Sequence, residues 1–346
     1  MKQATVMATV MAAVLLAAPL ATAHAQSPAE FYRDKVINLY IGYGPGGGYD
    51  LYARTLAKHM VKHIPGAPRI LPTNMPGASS MTLANYLAKI APKDGLAFGA
   101  VNSALIFDPL FSGAHSKAQF NAPDMTMIGN IVSSASVLVS WHTSGVKTID
   151  DIRTKGLTIA ATSPSGDTYL LPLSVKNILG LDKLKLITGY PGSREVAIAL
   201  EQNEVSGRVW DMEGIKSTRP DWLRDKKLNI IAQLAPHKMP EVPADVPLVK
   251  DYVSSQEDKD ALDVIFLSTV LARPYVAPPG LPPDRTKALR DAFMETTKDA
   301  EFIDDLGKMQ MNVDATSGEE MQKIVKDAYA LPAATVEKVR KALTPP

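Results

Sequence analysis

The sequence predicts an α/β protein built from two lobes that are joined by a hinge. Helix-like and strand-like segments alternate along most of the chain, an order typical of parallel sheets with helical crossovers. The length of 346 residues exceeds what one hydrophobic core usually supports, so two domains are expected. Two apolar, strand-like segments, near residues 130 and 265, divide the middle of the chain from its ends. We expect these segments to cross between the lobes and to form the hinge.

The first lobe is predicted to comprise residues 26–130 and 266–346. A strand in "KVINLYIGY" precedes the helix "YDLYARTLAKHMVKHI", in which apolar residues recur at i, i+4 spacing. The strand "RILPTN", the helix "SSMTLANYLAKI" and the strand "LAFGAVN" follow. Two C-terminal helices, in "PPDRTKALRDAFMETTKD" and "EEMQKIVKDAYALP", complete this lobe.

The second lobe is predicted to comprise residues 131–265. It opens with the β-rich stretch "TMIGNIVSSASVLVSWH" and a short helix that Thr148 can cap. Two units of strand, loop and helix follow, and then the strand "VSGRVWDM". Around residues 255–275 the chain becomes apolar again, and "ALDVIFLSTVLARPYVAP" is expected to be β-structure.

The first 25 residues have the pattern of a cleavable export signal. Lys2 is followed by the uncharged apolar run "VMATVMAAVLLAAPLA", and "AHA" provides the small residues for a predicted cleavage after Ala25. The run is shorter than the roughly 20 residues that a bilayer span needs, and Pro19 interrupts it. A signal peptide is therefore favoured over a membrane anchor, and we expect a soluble, exported protein, most simply in a bacterial periplasm.

Composition excludes several classes of function. The chain has no cysteine, which excludes disulfides, thiolate metal sites and a cysteine nucleophile. It has 37 Lys and Arg against 36 Asp and Glu, and the predicted leader contains one of these basic residues and no acidic one. The mature chain is then neutral, so neither nucleic acid nor an anionic membrane surface is an expected partner.

The glycine-rich loop after the first strand, "YGPGGGYD", is the most informative local motif. Gly42, Gly44 and Gly47 match the spelling of a dinucleotide-binding loop, but the second strand ends without the acidic residue that such a site requires. A phosphate loop fails too, because Tyr49 and Asp50 follow the glycines in place of Lys and Ser or Thr. The glycines and the helix N-terminus still suit a carboxylate or a phosphate. From this loop alone, an anion site and a tight turn without a ligand are equal alternatives.

Two loops of the second lobe share this arrangement. "TSPSGDT", at Thr162–Thr168, and "GYPGSRE", at Gly189–Glu195, each lie between a strand and a helix. Either loop alone could be an ordinary helix start. Three such loops together predict one anion site in a cleft between the lobes. Asp211, at the end of a strand, is either a further ligand contact or a strand-end acid.

Catalytic and metal-binding motifs are weak. There is no G-x-S-x-G elbow to indicate a hydrolase serine. His59 and His63 stand at i, i+4, but the Glu of H-E-x-x-H is missing, which favours a surface helix face over a metal site. We predict no catalytic residue, no metal and no cofactor, and the protein is not expected to be an enzyme.

From about residue 34 to the C-terminal helices, the chain resembles the substrate-binding proteins of tripartite tricarboxylate transporters, also called the Bug or TctC family. "GPGGGYDLYAR" corresponds to the family's P-P-G-G-x-x-D-x-x-A-R, with Gly44 in place of the first Pro. "NMPGA", "YPGS" and "PPGLP" correspond to its N-R-P-G-A, Y-K-G-S and P-x-G-x-P motifs. The loop "SPSGDTYLL" keeps Ser163, Ser165, Gly166 and Thr168 of S-x-G-x-G-T-x-x-H but lacks the His. Such differences from the family motifs are typical of a divergent branch, and they leave the identity of the ligand open.

The resemblance implies a type II, Venus-flytrap periplasmic binding protein that is monomeric and holds a small carboxylate through backbone N–H groups of both lobes. It also implies delivery of that ligand to the permease subunits of a tripartite tricarboxylate transporter. A sensor subunit for a membrane kinase, or an exported hydrolase using the same cleft, remain alternatives. The expected ligand contacts are Tyr43, Pro45, Gly46, Gly47, Gly48, Tyr49, Asp50, Asn102, Ser103, Ser163, Ser165, Gly166, Thr168, Tyr190, Ser193 and Asp211.

Overall fold

A computed structural model describes residues 26–345 of the chain. The predicted signal peptide, residues 1–25, lies outside the described residues. Among the helices of residues 26–345, none combines the length and the apolar character that a bilayer span requires.

The first of two sheets has six strands in the order β11–β4–β10–β3–β1–β2. Strand β1 pairs in parallel with β2 and β3, whereas β10 runs antiparallel between β3 and β4. The predicted order of strand, helix, strand, helix, strand at the start of the chain is therefore confirmed. The strands of this sheet are β1 (Val36–Ile41), β2 (Arg69–Asn74), β3 (Ala97–Ala100), β4 (Thr126–Asn130), β10 (Pro274–Ala277) and β11 (Thr316–Ser317).

The second sheet has five strands in the order β7–β6–β8–β5–β9. Strands β7, β6 and β8 are parallel, and β5 runs antiparallel to both β8 and β9. The strands are β5 (Ser136–Trp141), β6 (Leu157–Ala160), β7 (Leu184–Ile187), β8 (Gly207–Asp211) and β9 (Leu228–Leu234).

Helices connect the strands and cover the sheets. In the first 130 residues these are α1 (Pro28–Tyr32), α2 (Gly48–Met60), α3 (Met81–Lys89) and α4 (Asp108–Ser112). The middle of the chain forms α5 (Ile149–Lys155), α6 (Asp167–Leu179), α7 (Ser193–Glu201), α8 (Met212–Thr218), α9 (Pro220–Arg224), α10 (Gln256–Ile265) and α11 (Leu267–Val270). The C-terminal part forms α12 (Pro283–Lys298), α13 (Ala300–Lys308), α14 (Gly318–Tyr329) and α15 (Ala333–Ala342). Short 3₁₀ turns lie at Val61–His63, Ala104–Phe107, Gly113–His115, Ala122–Asp124 and Val249–Tyr252.

The helix α2 positions the glycine-rich loop, because its apolar face is fixed against the first sheet. Tyr52, Leu56 and Met60 are fully buried and belong to one core cluster with Leu39 and Phe293. The i, i+4 spacing that predicted this helix is thus the spacing of its buried face. Since the helix cannot rotate without exposing these side chains, its N-terminus has a fixed direction.

The prediction of β-structure across residues 255–275 was wrong for most of that segment. Residues Gln256–Ile265 and Leu267–Val270 are helical, and only Pro274–Ala277 forms a strand. The Ser255 hydroxyl accepts a hydrogen bond from the Asp258 N–H and so caps α10. Behind that cap, Leu262 and Ile265 bury one face of the helix. The capping residue and the acidic first turn both indicated a helix, but the prediction gave more weight to the apolar composition of the segment.

The two segments that cross between the sheets lie side by side. The first is residues 131–135, between β4 and β5, and the second is residues 269–273, before β10. The Ser134 N–H donates to the Thr269 carbonyl at 3.1 Å, and the Ile131 N–H donates to the Arg273 carbonyl at 3.2 Å. The second crossing is therefore displaced from residue 265, because α10 and α11 occupy that position. The division into lobes at 26–130 plus 266–346 and 131–265 stays a prediction.

Candidate functional site

A cavity of about 800 Å³ opens at the carboxyl ends of the parallel strands of both sheets. The loop after β1 forms one wall, together with Pro76 and Arg273. The loops after β6, β7 and β8 form the opposite wall. Loops at the carboxyl ends of strands are the usual ligand-binding position in open α/β sheets, so this cavity is the candidate site.

Three helices point uncapped N-termini at the cavity. The N-cap residues of α2, α6 and α7 are Gly47, Gly166 and Gly192, and none provides a side-chain hydrogen bond to the first turn. In α5, by contrast, the Thr148 hydroxyl accepts a first-turn N–H and caps the helix. In α6 the Thr168 N–H donates to the Asp167 Oδ1 at 2.8 Å and the Tyr169 N–H donates to the Gly166 carbonyl at 3.0 Å. In α2 and α7 the N-cap side chain accepts none of the first-turn N–H groups, which leaves them for another acceptor.

Asp50 supports the glycine-rich loop from behind. Its carboxylate accepts hydrogen bonds from the Gly46 N–H at 2.9 Å, the Arg54 Nε at 2.9 Å and the Asn74 Nδ2 at 2.8 Å. Gly46 has a φ of +83°, a value that favours glycine. Asp50 is buried and does not line the cavity, so its role in the loop is positional.

Two tyrosines form an aromatic face of the cavity. The rings of Tyr43 and Tyr49 stack with centroids 4.7 Å apart. The Asn102 Nδ2 donates to the Tyr43 hydroxyl at 2.8 Å, and the Ser103 N–H donates to the Tyr49 hydroxyl at 3.2 Å. Burial raises the pKa of both phenols above the ordinary value, so both hydroxyls stay protonated. Asn102 and Ser103 are buried behind the rings and position them.

In the second lobe, hydroxyls of the loop after β6 contact the first lobe. The Ser163 Oγ donates to the Ser79 Oγ at 2.9 Å, and the hydroxyls of Ser79 and Thr162 lie 3.1 Å apart. The Ser165 Oγ donates to the Ala78 carbonyl at 3.4 Å. Ser163 and Ser165 therefore bridge the lobes beside the cavity, whereas Thr168 lines it.

Gly166 belongs to the same bridging contact. A Cβ at this position would lie 2.4 Å from the Ser79 Oγ and 3.0 Å from the Ser79 Cβ. We expect Gly166→Ala to lower the free energy of unfolding by about 1–3 kcal/mol, because the two loops must separate. Urea denaturation measures this loss, with Gly307→Ala as control, where an added Cβ meets nothing within 4 Å. Ser79→Gly in the same chain removes the clashing atoms; a double variant no more stable than Gly166→Ala would contradict the contact.

The loop after β7 is supported by a buried arginine. Arg208 is 1% exposed, and its guanidinium lies 3.5 Å from the centre of the Trp210 ring. It donates to the Ser193 carbonyl at 3.2 Å and to the Ser193 Oγ at 3.3 Å. Burial lowers the pKa of Arg208 to about 9. Ser193 lines the cavity, whereas the Tyr190 hydroxyl turns away and donates to Glu204 at 2.5 Å.

An ion pair joins the lobes at the cavity wall. The Arg273 Nη2 lies 2.6 Å from the Asp211 Oδ1, and the same oxygen accepts the Gly214 N–H at 2.7 Å. The guanidinium also lies over the ring of Tyr49, 4.5 Å from its centre. Burial acts to lower the pKa of Arg273, but Asp211 and the neighbouring tyrosines raise it overall. Arg273 therefore remains charged in the pair.

The predicted site residues divide into two groups. Nine line the cavity: Tyr43, Pro45, Gly46, Gly47, Gly48, Tyr49, Thr168, Ser193 and Asp211. Seven are not among its lining residues: Asp50, Asn102, Ser103, Ser163, Ser165, Gly166 and Tyr190. Sequence reasoning missed Asp167, Arg219 and Arg273, which do line it. An acid inside the loop "SPSGDT" and an arginine inside the apolar stretch "VLARPYVAP" were the available signals.

His59 of α2 and His63 of the 3₁₀ turn that follows it lie in an ion-pair network with the N-cap and first turns of α13. The His59 Nε2 is 2.8 Å from Asp305, and the His63 Nε2 is 2.9 Å from Asp299. Donor atoms of His59, Asp299 and Glu301 lie within 4.8 Å of one another, a spacing that a metal could use. Lys62, however, lies 2.6 Å from Asp299, and its hydrogen bond lowers the pKa of that carboxyl. Lys62 therefore already forms an ion pair with the carboxylate that a metal ion would need as a ligand.

The comparisons with solved structures identify the architecture. The periplasmic binding protein BugD superposes with a TM-score of 0.68 over 90% of this chain and 98% of its own, at 16% identity. MatC from Rhodopseudomonas palustris with bound malate gives 0.68 over 88% and 99%, at 17% identity. The chain has the two-lobe fold of the Bug and TctC periplasmic binding proteins. The resemblance seen in the sequence is confirmed at the level of this fold.

Two further comparisons agree with this Bug-type fold. The R. palustris protein Rpa4515 with adipate has a TM-score of 0.68, with 16% identity over 88% of this chain and 97% of its own. A curated relative from Cupriavidus necator, described as "UPF0065 protein in gbd 5'region", is 24% identical over 325 residues, 91% of this chain and 90% of its own. No protein-family model matches the chain.

Proposed function

We propose that this protein is a periplasmic solute-binding protein that binds a small organic acid between its two lobes and delivers it to the permease subunits of a tripartite tricarboxylate transporter. The observation that carries the proposal is the meeting of three glycine-capped helix N-termini at one cavity. The protein acts as a carrier and performs no chemistry on the ligand.

The uncapped N–H groups at the cavity favour an anionic ligand. Each helix N-terminus carries a partial positive charge and unpaired donors, which favour a carboxylate. A hydrogen bond to a charged group contributes about 1.5–3 kcal/mol. With glycine as the N-cap, the ligand can approach the backbone closely. Donors from α2 belong to the first lobe, and those from α6 and α7 belong to the second.

This division of donors links binding to closure. A ligand that contacts both lobes favours the closed arrangement, because only there are all its hydrogen bonds formed. In the closed arrangement, Ser163 and Thr162 reach Ser79 of the first lobe. A permease that binds this closed surface would then distinguish the loaded carrier from the empty one. The carboxylates named for the Bug-type neighbours, malate and adipate, support an organic acid as the ligand class.

Binding without turnover is the first test. We expect the mature protein to show a rise in melting temperature with at least one member of a panel of mono-, di- and tricarboxylates, since a ligand that binds only the folded state stabilises it. Calorimetry should then give one ligand per chain, and chromatography should recover it unchanged. A product would support the exported hydrolase instead, and no response to any carboxylate would count against the proposed ligand class.

Gly47→Val tests the role of the glycine-rich loop. A Cβ added at Gly47, which lines the cavity, meets no protein atom within 4 Å, so the protein has room for a larger side chain here. We expect the affinity for the carboxylate found in the screen to fall ~10- to 100-fold, since one or two charged hydrogen bonds are lost. The matched control is Gly307→Val, another open position, far along α13. Equal affinities of both variants by calorimetry would refute the role of this loop.

A further inference from the structure

The charges of the cavity wall balance within the protein. The charged residues that line the cavity are Asp167, Arg194, Glu195, Asp211, Arg219 and Arg273. These are three acids and three arginines, so the wall has no net charge when all six are ionised. Asp211 is paired with Arg273 at 2.6 Å, whereas Asp167 has no Lys, Arg or His nitrogen within 4.0 Å among residues 26–345. A dicarboxylate therefore adds two negative charges to a wall that already holds an acid without a close cation.

Asp167 stands where an anionic solute would bind. It is the first residue of α6, its side chain is half-buried, and its Oδ1 accepts the Thr168 N–H at 2.8 Å. A first-turn N–H is one of the donors that a helix N-terminus offers to an anion. The ionised Asp167 thus both repels a carboxylate in the cavity and takes a donor that the carboxylate could use.

The surroundings of Asp167 favour its protonated form more than water does. Burial raises the pKa of Asp167, and the charge of Asp211 raises it further, whereas hydrogen bonds from Asn102 and Thr168 and the charge of Arg273 lower it. The net direction is upward. The charged and titratable groups that act on Asp167 from neighbouring elements are Tyr43, Tyr49, Arg208, Asp211 and Arg273. A second anion beside this carboxyl shifts its pKa in the same upward direction.

We propose that the capture of an organic acid in this cavity is coupled to the uptake of one proton from solvent, which Asp167 receives. The protonated carboxyl no longer repels the bound carboxylate and donates its O–H to it, and the Thr168 N–H loses its anionic acceptor. The coupling rests on the proposed function and adds a dependence on pH. Because the bound acid raises the pKa of Asp167, the affinity is highest at low pH and falls as the pH rises through the pKa in the complex.

Titration calorimetry of the mature chain measures this proton directly. Succinate, L-malate and adipate are titrated in PIPES and in imidazole at the same pH, because the difference between the two heats gives the number of protons taken up. We expect at least one of these acids to bind with net proton uptake. Its affinity should fall about 10-fold from pH 5.5 to pH 7.5, since one coupled proton changes Kd by at most about 10-fold per pH unit.

Asp167→Asn tests the assignment of the proton, because the amide has the shape of the protonated carboxyl and keeps a donor but does not titrate. We expect this variant to bind the same acid about 10-fold more tightly than the wild type at pH 7.5 and to lack the extra proton. Asp182→Asn, an exposed change in the turn after α6, should keep the wild-type affinity and proton uptake. The titration of the acid itself is common to all three proteins and cancels in the comparison.

The outcomes separate this coupling from the proposed function. No proton uptake in the wild type, or the same uptake in Asp167→Asn, would overturn the coupling while carboxylate binding stands. Weaker binding by Asp167→Asn at every pH would overturn it too, because the ionised Asp167 would then assist binding. If none of the three acids binds the wild type at pH 5.5, the coupling is rejected, and the wider carboxylate screen decides the proposed function separately.

Discussion

Replacing Arg273 by methionine is expected to lower the free energy of unfolding by about 3 kcal/mol. Arg273 is 3% exposed, and its removal leaves the Asp211 carboxylate without its cation. Removing one partner of a buried ion pair costs about 3–5 kcal/mol. We expect the lower end of this range because the Asp211 side chain is 21% exposed to solvent. Urea denaturation monitored by tryptophan fluorescence measures the loss.

A double variant shows whether the pair is the cause. We expect Arg273→Met with Asp211→Asn to be less destabilised than the sum of the single variants, because the uncompensated charge is gone. Lys287→Met is the matched surface control: its partner Asp291 is 59% exposed, so a change within 0.5 kcal/mol is expected. Additive single effects would mean that Arg273 stabilises the fold by packing alone.

Replacing Glu213 by leucine is expected to cost about 2–4 kcal/mol of stability. Glu213 is 1% exposed and accepts the Asn312 N–H at 2.8 Å and the Asn312 Nδ2 at 3.0 Å. The Tyr52 hydroxyl lies 3.4 Å from Glu213 and donates at 2.7 Å to the Asn312 carbonyl. The loss of Glu213 removes the acceptor of both Asn312 donors and the anion that pairs with Lys216 at 3.3 Å. Because Glu213 follows β8 and its partners lie in α2 and before β11, the contact also ties the two sheets together.

Glu213→Gln separates the lost acceptor from the lost charge. It keeps a carbonyl oxygen for the Asn312 donors, so we expect at most half the destabilisation of the leucine variant. Glu295→Leu is the exposed control, since its pair with Lys298 lies at the surface. Both are followed by thermal and urea denaturation. A leucine variant as stable as the control would show that the Glu213 hydrogen bonds contribute no net stability.

The sequence predicted the first lobe well because its periodicities are local. The apolar residues of α2 and the turns around β1, β2 and β3 each specify one element without reference to the rest. The segment at 255–275 failed because its apolar content was read as a strand, while Ser255 and the following acidic turn start a helix. Composition alone does not distinguish a buried strand from a buried helix.

The part of the candidate site that consists of backbone N–H groups could be predicted from the sequence. Glycines before helices indicated the three uncapped N-termini, because that signal lies within a few adjacent residues. The paired and unpaired charges could not be predicted, since Arg273 and Asp211 are distant in sequence and meet only through the sheet topology. Ser163 and Ser165 look like ligand contacts in sequence, and their contacts with Ala78 and Ser79 depend on how the two lobes meet.

The backbone at Ala78, Ser79 and Ser80 has φ values of 45°, 50° and 73°, an unfavourable run for residues with a Cβ. The Ser80 hydroxyl accepts the Asn102 N–H at 3.1 Å and donates to the Gly42 carbonyl at 3.3 Å. Asn102 in turn holds the ring of Tyr43. The segment that contacts the neighbouring lobe and the Tyr43 ring at the cavity wall are therefore both held through the Ser80 hydroxyl, so a displacement of either one disturbs the same pair of hydrogen bonds.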